Sequence, residues 1–512
     1  MKNNTDNKDS TKKDLQLWNS RAINFHLYSK YPQVLALVDS VLDEVIAHIK
    51  HRDNPKRIHT DKYRDSLLLA LLNLYSVYKV NPKKYIAYSR NPGGFQRTRY
   101  KRHNIGYDVF IKKVINSLDE LGYIESHLGF HDKDFGIGMN SRMRANSSLT
   151  ELFDEHKLAP VMVQREAVEE VIILKSVSIL KDDKKDKYVV DYEDTEQTNK
   201  MRKNLHIINS LLDSRWVDLE VSDEVYEEIA KDVERKGRND IDFCRKRLKR
   251  VFNNNSFEDG GRFYHGWWQE IPKEYRKYIT IDGKRTVEVD YSSIHFRILY
   301  AEQGIDIKDK DPYIIEGYED RRRLIKIALN IILNAETKKS SINAIHSKLE
   351  VSKDTAIDIY KRLEQEHPKI KKYFGSGRGV KLQYTDSQIA EQVMLNLVRD
   401  NIVCLPVHDS FIVRLSNQID LHEEMDKVFK DIAGVNARRD RKDIVVGSDV
   451  HRQESERLYG DRGIKEIDED GNLIGMTISL SDIDPYQLFK LNKEYRGYHL
   501  REGEWVEHKG YI

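Results

Sequence analysis

Residues 402–415 read IVCLPVHDSFIVRL. Two runs of β-forming residues, IVCLPV and FIVRL, flank His408, Asp409 and Ser410, the pattern of two strands joined by a tight turn. Asp and Ser are ordinary turn residues, so an isolated HDS has a bland explanation. A carboxylate at the tip of an apolar hairpin gains a second meaning if the fold delivers another carboxylate to the same place.

The stretch TVEVDYSSIHFRILYAEQG (286–304) supplies a candidate. Thr286 to Val289 alternate like a strand, Asp290 ends it, and SSIHFRILYAEQ continues at helical spacing. A carboxylate at a strand-to-helix junction lies at a sheet edge, within reach of solvent and ligand. Only the fold can join Asp290 to Asp409. Joined, and supplemented by backbone carbonyls and water, they form a hard-oxygen site suited to Mg²⁺. Two such ions, about 4 Å apart, clamp the attacking and leaving oxygens of an in-line phosphoryl transfer.

A third element lies between them. EDRRRLIKIALNIILNAETKK (319–339) reads as a helix that starts basic and turns apolar. Arg322 and Lys326 are four residues apart and share a face, and Asn330 and Asn334 extend the row. Asn is a poor residue for a helix interior. Such a row suits a triphosphate at its basic end and a sugar and base near the asparagines. The alternative is an exposed helix face with ordinary charges.

Together these pieces resemble the right-hand polymerase superfamily. DYSSIHFRILYA looks like motif A of the family A DNA polymerases, RRLIKIALNIILNA like their fingers helix, and PVHDSFIV like motif C, in matching order. HDSF is closer to the form in single-subunit phage-type RNA polymerases. EDGGR (258–262) sits where that superfamily touches template and duplex, and QYTDSQIAEQVM (383–394) resembles the helix before motif C. The resemblance covers roughly residues 200–450. It implies an α+β right-hand fold: a palm with an antiparallel sheet, helical fingers and a helical thumb. It further implies that Asp290, Asp409 and the Tyr291 carbonyl hold two Mg²⁺ ions, with Mn²⁺ able to substitute. Arg322 and Lys326 would hold the triphosphate, Lys326 would protonate the leaving pyrophosphate, His408 would lie beside the primer terminus, and Arg262 and Gln383 would touch the template–primer backbone.

Three positions depart from the pattern. His295 stands where the DNA polymerases place a glutamate that helps exclude a 2′-hydroxyl. Asn334-Ala335 replaces the fingers Tyr-Gly, and Ser410 replaces the glutamate after the motif C aspartate. A pocket without that gate would accept rNTPs as well as dNTPs, which suits an enzyme that starts chains. The layout is similar to the primase–polymerases of mobile genetic elements and plasmids, which act on single-stranded template and primer–template duplex beside a helicase or small accessory protein. Rival readings are a phage-type RNA polymerase, a template-independent transferase in defence, and a non-catalytic initiator or repressor with a decayed palm.

The rest of the chain frames that core. Its 512 residues provide for several domains. The net charge of +2 conceals alternating basic and acidic runs, and two cysteines, Cys244 and Cys404, form no zinc pattern and suit a reducing cytoplasm. No apolar run is long enough for a membrane span. Residues 1–20 read as a disordered tail. Residues 21–150 read as a winged-helix-like domain, with YDVFIKKVINSLDELG (107–122) as an amphipathic helix and YIESHLGF and GIGMNSRMRAN as two wing strands. Its basic residues Arg97, Arg99, Lys101, Arg102, Arg142 and Arg144 suit phosphate contacts, or a solvated face. Residues 151–200 read as a charged linker, in which Asp191-x-Glu193 lacks the further acidic motifs an exonuclease needs. Residues 201–256 read as a helical thumb, with Arg245, Arg247 and Arg250 on a basic helix face. Palm (257–310 and 383–453) and fingers (311–382) follow. Residues 454–512 form an extension to which no chemistry attaches.

Overall fold

The computed structural model describes residues 20–437, apart from 97, 102–103, 133–136, 166–168, 180–184 and 309, together with short strands at 464–467, 473–477, 500–501 and 504–505. All but the last residue of the expected tail at 1–20, Arg97, Arg102 and nearly all of the 454–512 extension therefore lie outside the described residues. The chain divides into two compact units, residues 1–170 with 221–245 and 481–512, and residues 171–220 with 246–480.

The first unit contains β1 (Ser20–Ala22), α1 (Pro32–Asp53), α2 (Thr60–Val80), β2 (Tyr85–Tyr88), α3 (π-helical over Asp108–Ile115, α-helical over Asn116–Glu120), β3 (Ile124–His127), β4 (Ser141–Ala145) and α4 (Ser147–Glu155). Helix α2 is apolar on every face, and such a helix belongs at the centre of a domain. Accordingly Ser66 to Val77 are buried without a break. Phe110, Val114 and Leu118 of α3 enter the same core, with Leu121 partly buried against it. The chain leaves that helix through Gly122 at φ 79. The two strands expected after it pair antiparallel as β3 and β4, in a sheet ordered β1-β2-β4-β3.

In the second unit the order is β5 (Ile172–Ile179), β6 (Lys185–Val189), α5 (Glu196–Asp213), β7 (Val217–Leu219), β8 (Lys249–Asn253), β9 (Ser256–Tyr264), β10 (Ile279–Ile281), β11 (Lys284–Asp290) and α6 (Ile294–Ala301). There follow α7 (Arg322–Asn334), α8 (Lys338–Leu349), α9 (Lys353–Glu366), α10 (Gly379–Arg399), β12 (Leu405–Val407), β13 (Ser410–Arg414) and α11 (Gln418–Ala433). A five-stranded antiparallel sheet runs β7-β10-β11-β13-β12, and a four-stranded sheet runs β6-β5-β8-β9. Sheets that are mainly antiparallel, with parallel pairs only at β1–β2 and β5–β8 among the described strands, and with separate runs of helices, make the class α+β. No described helix is long and apolar enough to cross a membrane.

Two expectations are corrected here. The charged stretch 151–200 is not a linker, because β5 and β6 pair through it and α5 begins within it. The basic run FCRKRLKRVFNN is not a helix. Its tail is β8, in which burial alternates with period two and turns Arg250 and Phe252 inward. The helical expectation for 201–256 therefore holds for α5 and for helix Asp223–Arg235, which fall in different units.

Candidate functional site

The hairpin of residues 402–415 forms as β12 and β13, with Val407 opposite Ser410 and His408-Asp409 as its two-residue turn. Of those two, His408 alone has a positive φ, at 60°. Two-residue turns with that feature match the twist of the flanking strands. A side chain there costs strain that glycine would avoid, and such strain concentrates at functional sites. Phe411, Ile412 and Val413 are at most 1% exposed, so the strand cannot slip without exposing them.

Strand β11 lies antiparallel to β13, with Asp290 opposite Ser410. The Tyr291 amide donates to the Asp409 carbonyl at 3.2 Å, so the two aspartates stand side by side at one sheet edge. Beyond Asp290 the chain turns through Ser293 at φ 58 and enters α6. Tyr291 is anchored by its hydroxyl, which donates to the Met425 carbonyl at 2.6 Å, and by its ring against Phe411 and Phe429.

The pair is electrostatically uncompensated. Asp290 Oδ1 is buried with no hydrogen-bond partner. Burial first, then the charge of Asp409, pushes the Asp290 carboxyl well above the usual carboxylate range, against the opposing charges of Lys273 and Lys326. The Lys273 ammonium lies 3.9 Å from Asp290 Oδ2 and is mostly solvent-exposed, so it screens weakly. Glu288, two residues earlier on the same strand face, adds to the repulsion. It is held by Arg276 at 2.7 Å and accepts from the Ser410 hydroxyl at 2.6 Å. Where the resemblance had put a glutamate after Asp409, a serine instead binds a glutamate from the neighbouring strand.

Helix α7 presents Arg322, Lys326, Asn330 and Asn334 as one exposed row, and buries Ile325, Ala328, Leu329, Ile332 and Leu333. Both cations lie over the ring of Tyr313, at 5.1 and 5.8 Å from its centroid. Burial first raises the Tyr313 pKa, against a hydrogen bond with Ser293, so the ring carrying the two cations is tied to the turn three residues beyond Asp290. Arg322 also donates through Nε to Asp311 at 2.6 Å. The asparagines continue the exposed row. Asn334 turns its amide back to the Asn330 carbonyl at 2.7 Å, and a Cβ on Gly379 would come within 2.1 Å of its Oδ1. The end of α7 therefore lies close against the start of α10.

Another cluster borders the carboxylates. Arg262 Nε donates to both oxygens of Asp386 at 3.1 Å, and His295 Nε2 lies 2.6 Å from Asp386 Oδ2 and 3.2 Å from Arg262 Nη2. The pair Gly260-Gly261, at φ 82 and 76, lies at the register shifts between β8 and β9, just before Arg262. A Cβ on Gly261 would come within 2.9 Å of Ser387 Oγ, so strand and helix approach as closely as glycine permits. The pKa of His408 is lowered by burial among its neighbours, though part of the residue faces solvent, and next by the charge of Arg262. Gln383 is half-buried on α10, one turn before Asp386.

Other basic residues serve the fold. Arg250 is 1% exposed and is held by Glu391 at 2.6 Å, by Ser387 and by the Gly261 carbonyl. Arg247 pairs with Asp213, and Arg245 lies beside buried Asp242 in the first unit. In that unit Arg142 is buried and donates to the Asn140 carbonyl, while Arg144 pairs with Glu125. Arg99 pairs with Glu170, and Lys101 donates to the Gly94 carbonyl. Burying a guanidinium requires internal acceptors, and these side chains have found them. Their assignment to a phosphate-binding face is withdrawn for Arg142 and Arg250.

Among the described residues no group of three or more His, Cys, Asp and Glu side chains is arranged to cage a metal. The oxygens of two aspartates are the donor set on offer, a type that suits an ion retaining water and substrate oxygens as further ligands. The buried, unpartnered Oδ1 of Asp290 fits that role. The residues missed by sequence reasoning are Asp386, Tyr313, Lys273 and Glu288. Only Glu288 carried a signal, its two-residue spacing from Asp290 on a strand. No protein-family model matches the chain, and no curated protein matches it.

Proposed function

We propose that the chain is a template-directed nucleotidyltransferase of right-hand polymerase type, able to start as well as extend chains on single-stranded DNA. The observation that carries this reading is the uncompensated pair Asp290 and Asp409, joined at one sheet edge next to a helix bearing Arg322 and Lys326. Two acids that repel each other in the protein alone are stabilised by a divalent cation, and a basic row beside them suits a triphosphate.

Asp290, Asp409 and the Tyr291 carbonyl would hold Mg²⁺. When bound, Mg²⁺ lowers the pKa of the attacking hydroxyl and offsets charge on the phosphates. Arg322 exchanges Asp311 for the triphosphate, a like-for-like trade of oxyanions. Lys326 gives a proton to the departing pyrophosphate oxygen as the new phosphodiester bond forms. His408, lowered in pKa and held at the hairpin tip, accepts a hydrogen bond from the chain terminus. The first unit, with its helices followed by a paired two-stranded extension, supplies a winged-helix-like surface for DNA or a partner such as a helicase.

The test offers purified protein circular single-stranded DNA, Mg²⁺ and labelled nucleotides, with and without an annealed primer, as dNTPs, rNTPs or both. Template-complementary product without primer supports a primase–polymerase. Product only with primer removes the priming claim. Product unrelated to template supports a transferase instead, and absence of product with both substrates contradicts the catalytic reading.

A further inference from the structure

Resting on that reading, we propose that Asp386 is a positioning residue that fixes Arg262 and His295 against the sugar and base of the nucleotide and so sets sugar preference. The three side chains come from β9, α6 and α10, and Asp386 is their hub. It is 2% exposed, whereas the Arg262 and His295 side chains are 15% and 18% exposed, so the anchor is inside and the two partners keep part of their surface open. Arg262 commits Nε and Nη2 to the hub, and Nη1 makes no hydrogen bond among the described residues. That nitrogen is a donor kept for a ligand.

The position of the hub indicates what it reads. Tyr264, two residues beyond Arg262 on β9, lies edge-on to His408 with ring centroids 5.8 Å apart, and His295 follows Asp290 by five residues, so the hub borders the carboxylates. The cations of α7 gather instead around Tyr313. With the triphosphate on those cations and the reacting phosphate at the aspartates, the portion left for Arg262 and His295 is sugar and base. A free imidazole samples several rotamers. One tied at Nε2 by a buried carboxylate presents a single wall, and a fixed wall discriminates between two sugars better than a mobile one. The Gly260-Gly261 pair serves the same end, because only a close approach of β9 to α10 lets Arg262 reach Asp386.

The experiment measures kcat and KM for one dNTP and the matching rNTP on primed DNA with Mg²⁺, in wild type, Asp386→Asn, His295→Ala and the double variant, with thermal melts as a fold control. The expected result is a clear wild-type preference for one sugar that falls about tenfold toward unity in Asp386→Asn, through a raised KM for the favoured nucleotide. In the double variant the two effects are expected to combine to less than their product, because the wall that Asp386→Asn loosens is already absent in His295→Ala. An unchanged preference, effects that multiply, or a wild type indifferent to the sugar overturns the proposal while leaving the polymerase reading intact. A wild type that incorporates neither nucleotide overturns both. If Asp386→Asn does not fold, the same cycle is run with Arg262→Lys and His295→Ala, where additive effects on sugar preference overturn the proposal.

Discussion

Two carboxylates of the second unit, Asp290 and Asp386, have opposite surroundings. Asp386 is 2% exposed, yet its pKa is lowered, because His295 and Arg262 outweigh the penalty of burial. Asp290 has a side chain 25% exposed, and its pKa is raised, because burial of the carboxyl and then the charge of Asp409 outweigh Lys273 and Lys326, and one of its oxygens has no hydrogen-bond partner. Burial alone therefore does not decide whether a buried acid is content. What decides is whether the protein itself supplies the counter-charge. Asp386 is completed by its own chain, and Asp290 is left for something that binds.

The sharpest way to break this contrast is to remove each acid. Asp290→Asn and Asp409→Asn are each expected to lower nucleotide incorporation by at least about 10³-fold, about 4 kcal/mol in transition-state terms. In metal-free buffer each should raise the melting temperature, since like-charge repulsion is gone. Asp386→Ala should do the reverse to stability. It leaves the Arg262 guanidinium largely buried without its acid, a change that costs about 3 kcal/mol, read as a lower denaturation midpoint at constant slope. A stabilised Asp386→Ala or a destabilised Asp290→Asn would break the comparison.

Glu220 sharpens it as a third buried acid. Burial first, then Asp218, pushes its carboxyl up from 4.5 to about 8, against a hydrogen bond from Thr280. The folded state thus keeps a proton that the unfolded chain has released. Stability from this group is complete below about pH 4.5 and declines as pH climbs to about 8, by up to ~1.4 kcal/mol per pH unit. Glu220→Gln should flatten that decline in melts across pH and leave incorporation unchanged. An uncompensated acid marks a site only where cations and a sheet edge accompany it.

The smallest effect expected is at the turn. His408→Gly relieves a left-handed backbone and should stabilise by about 1 kcal/mol while lowering incorporation, the trade expected of strain kept for function.

These residues were unequally legible in the sequence. The hairpin, β11 and its turn at Asp290, and the exposed row of α7 were readable because their periodicities are local and their cores apolar. The hub was not, since Asp386 sits in a helical pattern where an acid looks like a surface residue, and only the close approach of β9 to α10 makes it central. Arg250 misled for the same reason. A run of consecutive bases reads as a helix face until its neighbours on other strands show alternate residues buried. Asn334 shares the polar row of Arg322, and its close approach to Gly379 is something no spacing rule could reveal.

The most direct measurement of the central claim is single-nucleotide extension of a primed DNA template by wild type and by Asp409→Ala, with Mg²⁺ and with chelator. The account predicts addition of the template-complementary nucleotide by wild type alone, and only with the metal. Extension that survives in Asp409→Ala, or that ignores the template base, would contradict it.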